Sequence, residues 1–133
     1  MADTVTAARR ILIADDDPGV SSLLTRWLTM AGYQVTTADD GIKACEAADQ
    51  APPDLILLDL QLPRRDGYAV LISLSSRETT AHVPVLIVSG EPDQHADIAK
   101  TLGARGFVHK PFTKEGLVKA VELALRGENR GVA

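Results

Sequence analysis

Along the chain, five short runs of apolar, β-prone residues alternate with stretches in which apolar positions recur every three or four residues. The runs are Ile11–Ala14, Gln34–Ala38, Leu55–Leu58, Val85–Val88 and Gly106–His109. The first, third and fourth are almost continuously apolar, as strands are when both faces of a parallel sheet are covered by helices. The intervening segments predict helices over Pro18–Ala31, Gly41–Asp49, Gly67–Ser76, Asp93–Leu102 and Thr113–Arg126. In the first of these, Val20, Leu23, Leu24, Trp27, Leu28 and Ala31 form one amphipathic stripe. Asp17 is its expected N-cap and Pro18 its first residue, and Gly32 stops it. The last helix starts behind Thr113 as cap and stops at Gly127. Strand then helix, five times over, predicts an α/β fold: a parallel five-stranded sheet, doubly wound, with helices on both faces in a three-layer sandwich.

Open α/β sheets collect their chemistry at the carboxyl ends of the strands. Here the first strand is followed by Asp15, Asp16 and Asp17, the third ends in Asp59, Ser89 stands at the end of the fourth, and Lys110 follows the fifth. If the strand order is 2-1-3-4-5, these four strands are consecutive neighbours and their ends line one shallow pocket. That order is carried over from known doubly wound sheets, not read from this chain. Crowded carboxylates repel, by about 4 kcal/mol for a pair ~4 Å apart at an effective dielectric of 20. A hard divalent cation relieves this, and Mg²⁺ suits a few carboxylates with retained waters and a phosphate oxygen. A lysine and a hydroxyl complete a site suited to a transferring phosphoryl group, with a carboxylate as nucleophile.

Composition narrows the picture. The 133 residues suit one domain, and 45% hydrophobic with 24% charged residues excludes a wholly disordered chain. A formal net charge of −4 argues against nucleic-acid binding. Cys45 is the only cysteine, so the chain has no internal disulfide, and the cytoplasm is the expected compartment. No apolar run approaches the ~20 residues of a membrane-spanning helix, and no secretory signal is evident at the N-terminus.

Four segments in order, ILIADDDP, LILLDLQLPRRDG, VLIVSG and GFVHKPF, resemble the receiver domain of bacterial two-component response regulators of the CheY-like, stand-alone kind. The resemblance covers 9–126, leaving 1–8 and 127–133 as expected flexible tails. It implies the flavodoxin-like strand order 2-1-3-4-5. It further implies that Asp59 is the phosphoacceptor and that Asp15, Asp16, Asp59 and the backbone carbonyl of Gln61 bind Mg²⁺, with Mn²⁺ as an alternative. Lys110 would contact the phosphoryl oxygens, Ser89 would hydrogen-bond them as a switch hydroxyl, and Phe107 would be the aromatic switch residue. Lys110-Pro111 is expected to be cis. The implied partners are a histidine kinase or histidine phosphotransfer protein and a separate output protein, reached through the fourth helix, fifth strand and fifth helix. The expected state is a monomer or a weak phosphorylation-dependent dimer that is not an enzyme beyond its own phosphorylation and dephosphorylation.

Three rival readings are weaker. Aspartyl phosphatases place a second Asp two residues after the nucleophile, where this chain has Gln61. A flavin or nucleotide module lacks its glycine-rich motif here, and the first loop is acidic. A phosphorylation-independent scaffold sits poorly with the complete acidic, hydroxyl and lysine set. Arg64 and Arg65 border the site, and Gln61 and Glu91 stand where the family tunes phosphoryl lifetime. The third helix carries no charge, and Ala69 and Ile72 sit where receivers usually carry one, a candidate partner contact.

Overall fold

In the computed structural model, residues 8–62, 66–90 and 93–127 are described. Five strands alternate with five helices: β1 (Arg10–Ala14), α1 (Pro18–Met30), β2 (Gln34–Ala38), α2 (Gly41–Gln50), β3 (Leu55–Asp59), α3 (Gly67–Ser76), β4 (Val85–Ser89), α4 (Asp93–Thr101), β5 (Gly106–His109) and α5 (Lys114–Leu125). The sheet is parallel, in the order β2-β1-β3-β4-β5. Every expected element is present; β2, α3 and β5 have the expected bounds, and the ends of the others shift by one residue. Most of the expected tails, and Arg64, Arg65 and Glu91, lie outside the described residues.

The run-like strands are the buried ones: every residue of β3 and β4 is buried, and β1 is buried after Arg10. Edge strand β2 is exposed at Gln34, Thr36 and Thr37, which is why its sequence is the most polar. Alternate side chains feed two cores. Leu12, Ile56, Leu58 and Ile87 pack under α2, α3 and α4 with Val70, Leu71, Leu74 and Ala99. Ile11, Ile13, Leu57 and Val88 pack under α1 and α5 with Leu24, Leu28, Leu117 and Val121. The three-layer sandwich is therefore two cores sharing one sheet.

Local capping follows the sequence. The Asp17 carboxylate accepts from the N–H groups of Gly19 and Val20, and the Thr113 hydroxyl from that of Gly116. Gly32, Gly103 and Gly127 end their helices with φ of 101°, 112° and 77°, in the left-handed region open to glycine. The α1 stripe is narrower than its periodicity suggests. Leu24 and Leu28 are fully buried and Trp27 is half-buried, edge-on to Phe112 with ring centroids 5.8 Å apart. Leu23 and Ala31, at the margins of the stripe, face solvent. In α3, Val70, Leu71 and Leu74 are buried while Ile72 is 49% exposed, so its uncharged outer surface is real. Among the described residues no helix is long and apolar enough to cross a membrane.

Candidate functional site

Each strand of the central four delivers one part of the site. The N–H of Asp15, just past β1, donates to the Ala38 carbonyl at 3.0 Å, so the β1–α1 loop leaves the sheet already anchored. Asp15 is buried, and its Oδ1 accepts the Asp17 N–H at 2.9 Å. The residue that caps α1 therefore also orients the buried carboxylate through its own backbone. Asp16, between them, is exposed. Asp59 closes β3; it is buried, and its Oδ1 accepts the Gln61 N–H at 2.9 Å. One backbone donor for each carboxylate leaves the second oxygen of each turned to the same space.

That space is shared with β4 and β5. Ser89 pairs with His109 in the sheet register and is 2% exposed. The Lys110 N–H donates to the Ser89 carbonyl at 2.9 Å, so the last rung of the ladder sets lysine and serine side by side. From there the Lys110 Nζ reaches Asp59 Oδ2 at 3.5 Å and Asp15 Oδ2 at 3.8 Å. The Lys110-Pro111 bond is cis, as expected. Phe107, on β5 three residues before Lys110, is buried and lies against the His109 ring with centroids 4.7 Å apart.

The electrostatics are strained on the acidic side. Ligand oxygens of Asp15, Asp16 and Asp59 all lie within 4.8 Å of one another. Burial raises the Asp15 pKa above its ordinary value, and the neighbouring charges of Asp59 and Asp16 raise it further. The Asp17 N–H and Lys110 oppose that rise. One lysine cannot neutralise three carboxylates. All three donors are hard oxygens, two buried and one open to solvent, which is the donor set for an ion that keeps waters on its outer side. The residues therefore fit Mg²⁺, which Asp15, Asp16 and Asp59 would hold.

A stability consequence follows. A carboxyl group with a raised folded-state pKa favours folding while it is protonated and opposes folding once pH has climbed through that pKa. Asp15→Asn keeps the oxygen that accepts from Asp17 and removes the charge. Without metal it should unfold at a higher temperature than the wild type at neutral pH. The gain should shrink as pH falls into the ordinary aspartate range. Added Mg²⁺ should stabilise the wild type more than the variant. Thermal unfolding across pH, with and without Mg²⁺, checks all three points.

Of the site residues expected from the sequence, Asp15, Asp16, Asp59 and Lys110 come together here, Gln61 bonds Asp59 through its N–H, Ser89 is buried on the adjoining strand, and Phe107 lies in the core. Sequence reasoning missed Gly67. Its N–H donates to the Leu60 carbonyl at 2.9 Å, bringing the start of α3 onto the end of β3. A side chain there would collide with the backbone of Asp59 and Leu60. The Asp-Gly pair at 66–67 was the available signal, with Asp66 capping α3 through the Ala69 N–H. A second missed feature is peripheral: Asp49 at the end of α2 accepts the Thr79 hydroxyl at 2.6 Å and pairs with Arg77 at 3.5 Å, tying α2 to the loop after α3.

The family model described as the response regulator receiver domain matches residues 11–122. The transcriptional regulator RpaA of Synechocystis is 43% identical over 91% of this chain, which covers 51% of RpaA. Protein PilH of Pseudomonas aeruginosa is 36% identical over 89% of this chain and 98% of its own length. Among solved structures, the receiver domain of a Pseudomonas aeruginosa sensor histidine kinase superposes with a TM-score of 0.84 at 27% identity. That match covers 90% of this chain and 99% of the other, which was crystallised with a magnesium ion coordinated in its active-site cleft. The chain thus spans about half the length of its longer curated relatives.

Proposed function

This chain belongs to the response regulator receiver domain family of two-component signalling, and from that we propose that it is a phosphoacceptor switch whose acceptor is Asp59. The observation that carries the reading is the Asp59 carboxylate, held by the Gln61 N–H and faced by the Lys110 ammonium at 3.5 Å, with two further carboxylates at its side. A histidine kinase or histidine phosphotransfer protein presents phosphohistidine. A carboxylate oxygen of Asp59 attacks phosphorus in line; the new O–P bond forms as the N–P bond breaks, and the imidazole leaves with the electron pair and takes up a proton. Lys110 lies where the phosphoryl oxygens arrive and balances their charge. Mg²⁺ bound by the acidic group and the Gln61 carbonyl would screen the repulsion between nucleophile and incoming phosphoryl group.

Ser89, buried on the neighbouring strand, is placed to hydrogen-bond the product's phosphoryl oxygens. Its movement, with that of Phe107, biases a two-state equilibrium across α4, β5 and α5, where a separate output protein binds. The only chemistry catalysed is the chain's own phosphorylation and dephosphorylation, in the cytoplasm.

The test is incubation with acetyl phosphate and Mg²⁺, followed by mass mapping of the modified peptide. We expect a phosphoryl group on Asp59, lost when the metal is chelated. Modification at another residue, or the same yield in chelator, would overturn the assignment. Steady turnover of an unrelated phosphate ester would favour an enzyme instead.

A further inference from the structure

His109, at the end of β5, takes no part in the phosphoryl chemistry above, yet it adjoins two residues that follow it. In the β4–β5 register Ile87 pairs with Phe107, Val88 with Val108 and Ser89 with His109. Ile87 and Phe107 belong to the core under α2, α3 and α4, and Val88 and Val108 to the core under α1 and α5. Side chains alternate along a strand, so Ser89 and His109 leave the sheet on the α4 side, as Phe107 does. His109 thus stands beside Ser89 at the strand spacing of about 4.8 Å. Its ring lies against that of Phe107, with centroids 4.7 Å apart and planes tilted by 46°. Ser89 and Phe107 are each 2% exposed, while His109 is half-buried. Of the three, the imidazole is the one that reaches the protein surface.

Phe107 has no polar atom in its side chain, so no hydrogen bond of its ring can register where the Ser89 hydroxyl lies. Only packing can. His109 adjoins both: it is the cross-strand neighbour of Ser89 and the ring partner of Phe107. Interiors are close-packed, so a hydroxyl drawn toward a phosphoryl group on Asp59 alters the space beside His109, and two rings in contact cannot turn independently. The backbone leaves this motion to side chains, because the Lys110 N–H bonds the Ser89 carbonyl at 2.9 Å and ties the two strand ends together. Building on the phosphoacceptor reading, we infer that His109 is a positioning residue of the switch: its ring passes the displacement of Ser89 to Phe107 and carries it to the surface beside α4.

The test compares the wild type with His109→Ala, His109→Asn and His109→Phe by amide NMR, with and without Mg²⁺ and beryllofluoride as a phosphoryl mimic. Modification of Asp59 by acetyl phosphate is mapped alongside. In the wild type the mimic should shift the resonances of Phe107 and of Ile98 and Ala99 on α4. His109→Ala and His109→Asn, which lack the second ring, should still be modified at Asp59. Their ratio of shifted to unshifted form should fall roughly fivefold or more. His109→Phe keeps two packed rings and should recover most of the response. In a Phe107→Ala background, His109→Ala should add nothing further. Denaturant unfolding measures the packing loss separately, since a ring with only a structural role would lower stability and leave the response intact. A full response in His109→Ala or His109→Asn would overturn the inference, as would a His109→Phe response as weak as theirs. A wild type modified at Asp59 without shifts at Phe107 and α4 would overturn it and leave the phosphoacceptor reading standing. A wild type unmodified at Asp59 would overturn both.

Discussion

Asp59→Asn is expected to abolish phosphoryl transfer to this chain, lowering the rate by roughly a thousand-fold or more, as removal of a nucleophile does. The substitution is nearly isosteric, and the amide oxygen can still accept the Gln61 N–H now held at 2.9 Å by Oδ1. What disappears is the anionic oxygen facing Lys110 at 3.5 Å, the atom that would form the bond to phosphorus. Loss of one carboxylate from the three within 4.8 Å should also weaken Mg²⁺ binding. The two effects can be separated. Titration calorimetry with Mg²⁺ measures affinity, and radiolabel transfer at saturating Mg²⁺ measures chemistry. Undiminished transfer at saturating metal would place the acceptor elsewhere. A downstream output that persisted unchanged in Asp59→Asn would favour the scaffold reading, even with the chemistry lost.

Gly67→Ala should be the most damaging small substitution in the chain. A Cβ at this position would stand 2.7 Å from the Leu60 carbonyl oxygen and 2.8 Å from that of Asp59, and closer still to the Leu60 Cα. These are backbone atoms at the end of a fully buried strand, so no flexible side chain can move aside. Either α3 lifts from β3, breaking the 2.9 Å bond from the Gly67 N–H to Leu60, or the strand end shifts. Denaturant unfolding should show a loss of about 3 kcal/mol or more, at the upper end for overpacking. Any folded fraction should bind Mg²⁺ and accept phosphate poorly, because the displaced atoms carry Asp59. Gly90→Ala is the matched control. There an added Cβ would meet the Lys110 Cβ at 3.8 Å, an ordinary contact, and stability should change by no more than about 0.5 kcal/mol. Equal tolerance at both positions would show that the β3–α3 junction is not rigid.

Most of the fold was legible because its signals are local. β3 and β4 read as apolar runs because both of their faces are covered; β2 read as mixed because it lies at an edge. Asp17, Thr113 and Gly32 act at the helix ends where their side chains, or the lack of one, satisfy or relieve the neighbouring backbone. Where the reading overreached, the cause was non-local. Leu23 and Ala31 fit the α1 stripe, yet both are exposed, because what covers a helix face is set by elements distant in sequence. Gly67 read as a helix start, and its actual constraint is the backbone of a strand several residues earlier.

The sequence by itself determined which elements form and which chemical groups stand at the carboxyl ends of four strands, because periodicity, capping and strand burial are written in neighbouring residues. Only the tertiary structure decided that Asp15, Asp16 and Asp59 come within 4.8 Å of one another, with the Lys110 ammonium beside Asp15 and Asp59. It also decided that burial raises the pKa of Asp15 and that His109 stands opposite Ser89 on the adjoining strand. Those properties depend on distances between segments far apart in the chain, and on the water each group loses when the segments close over it.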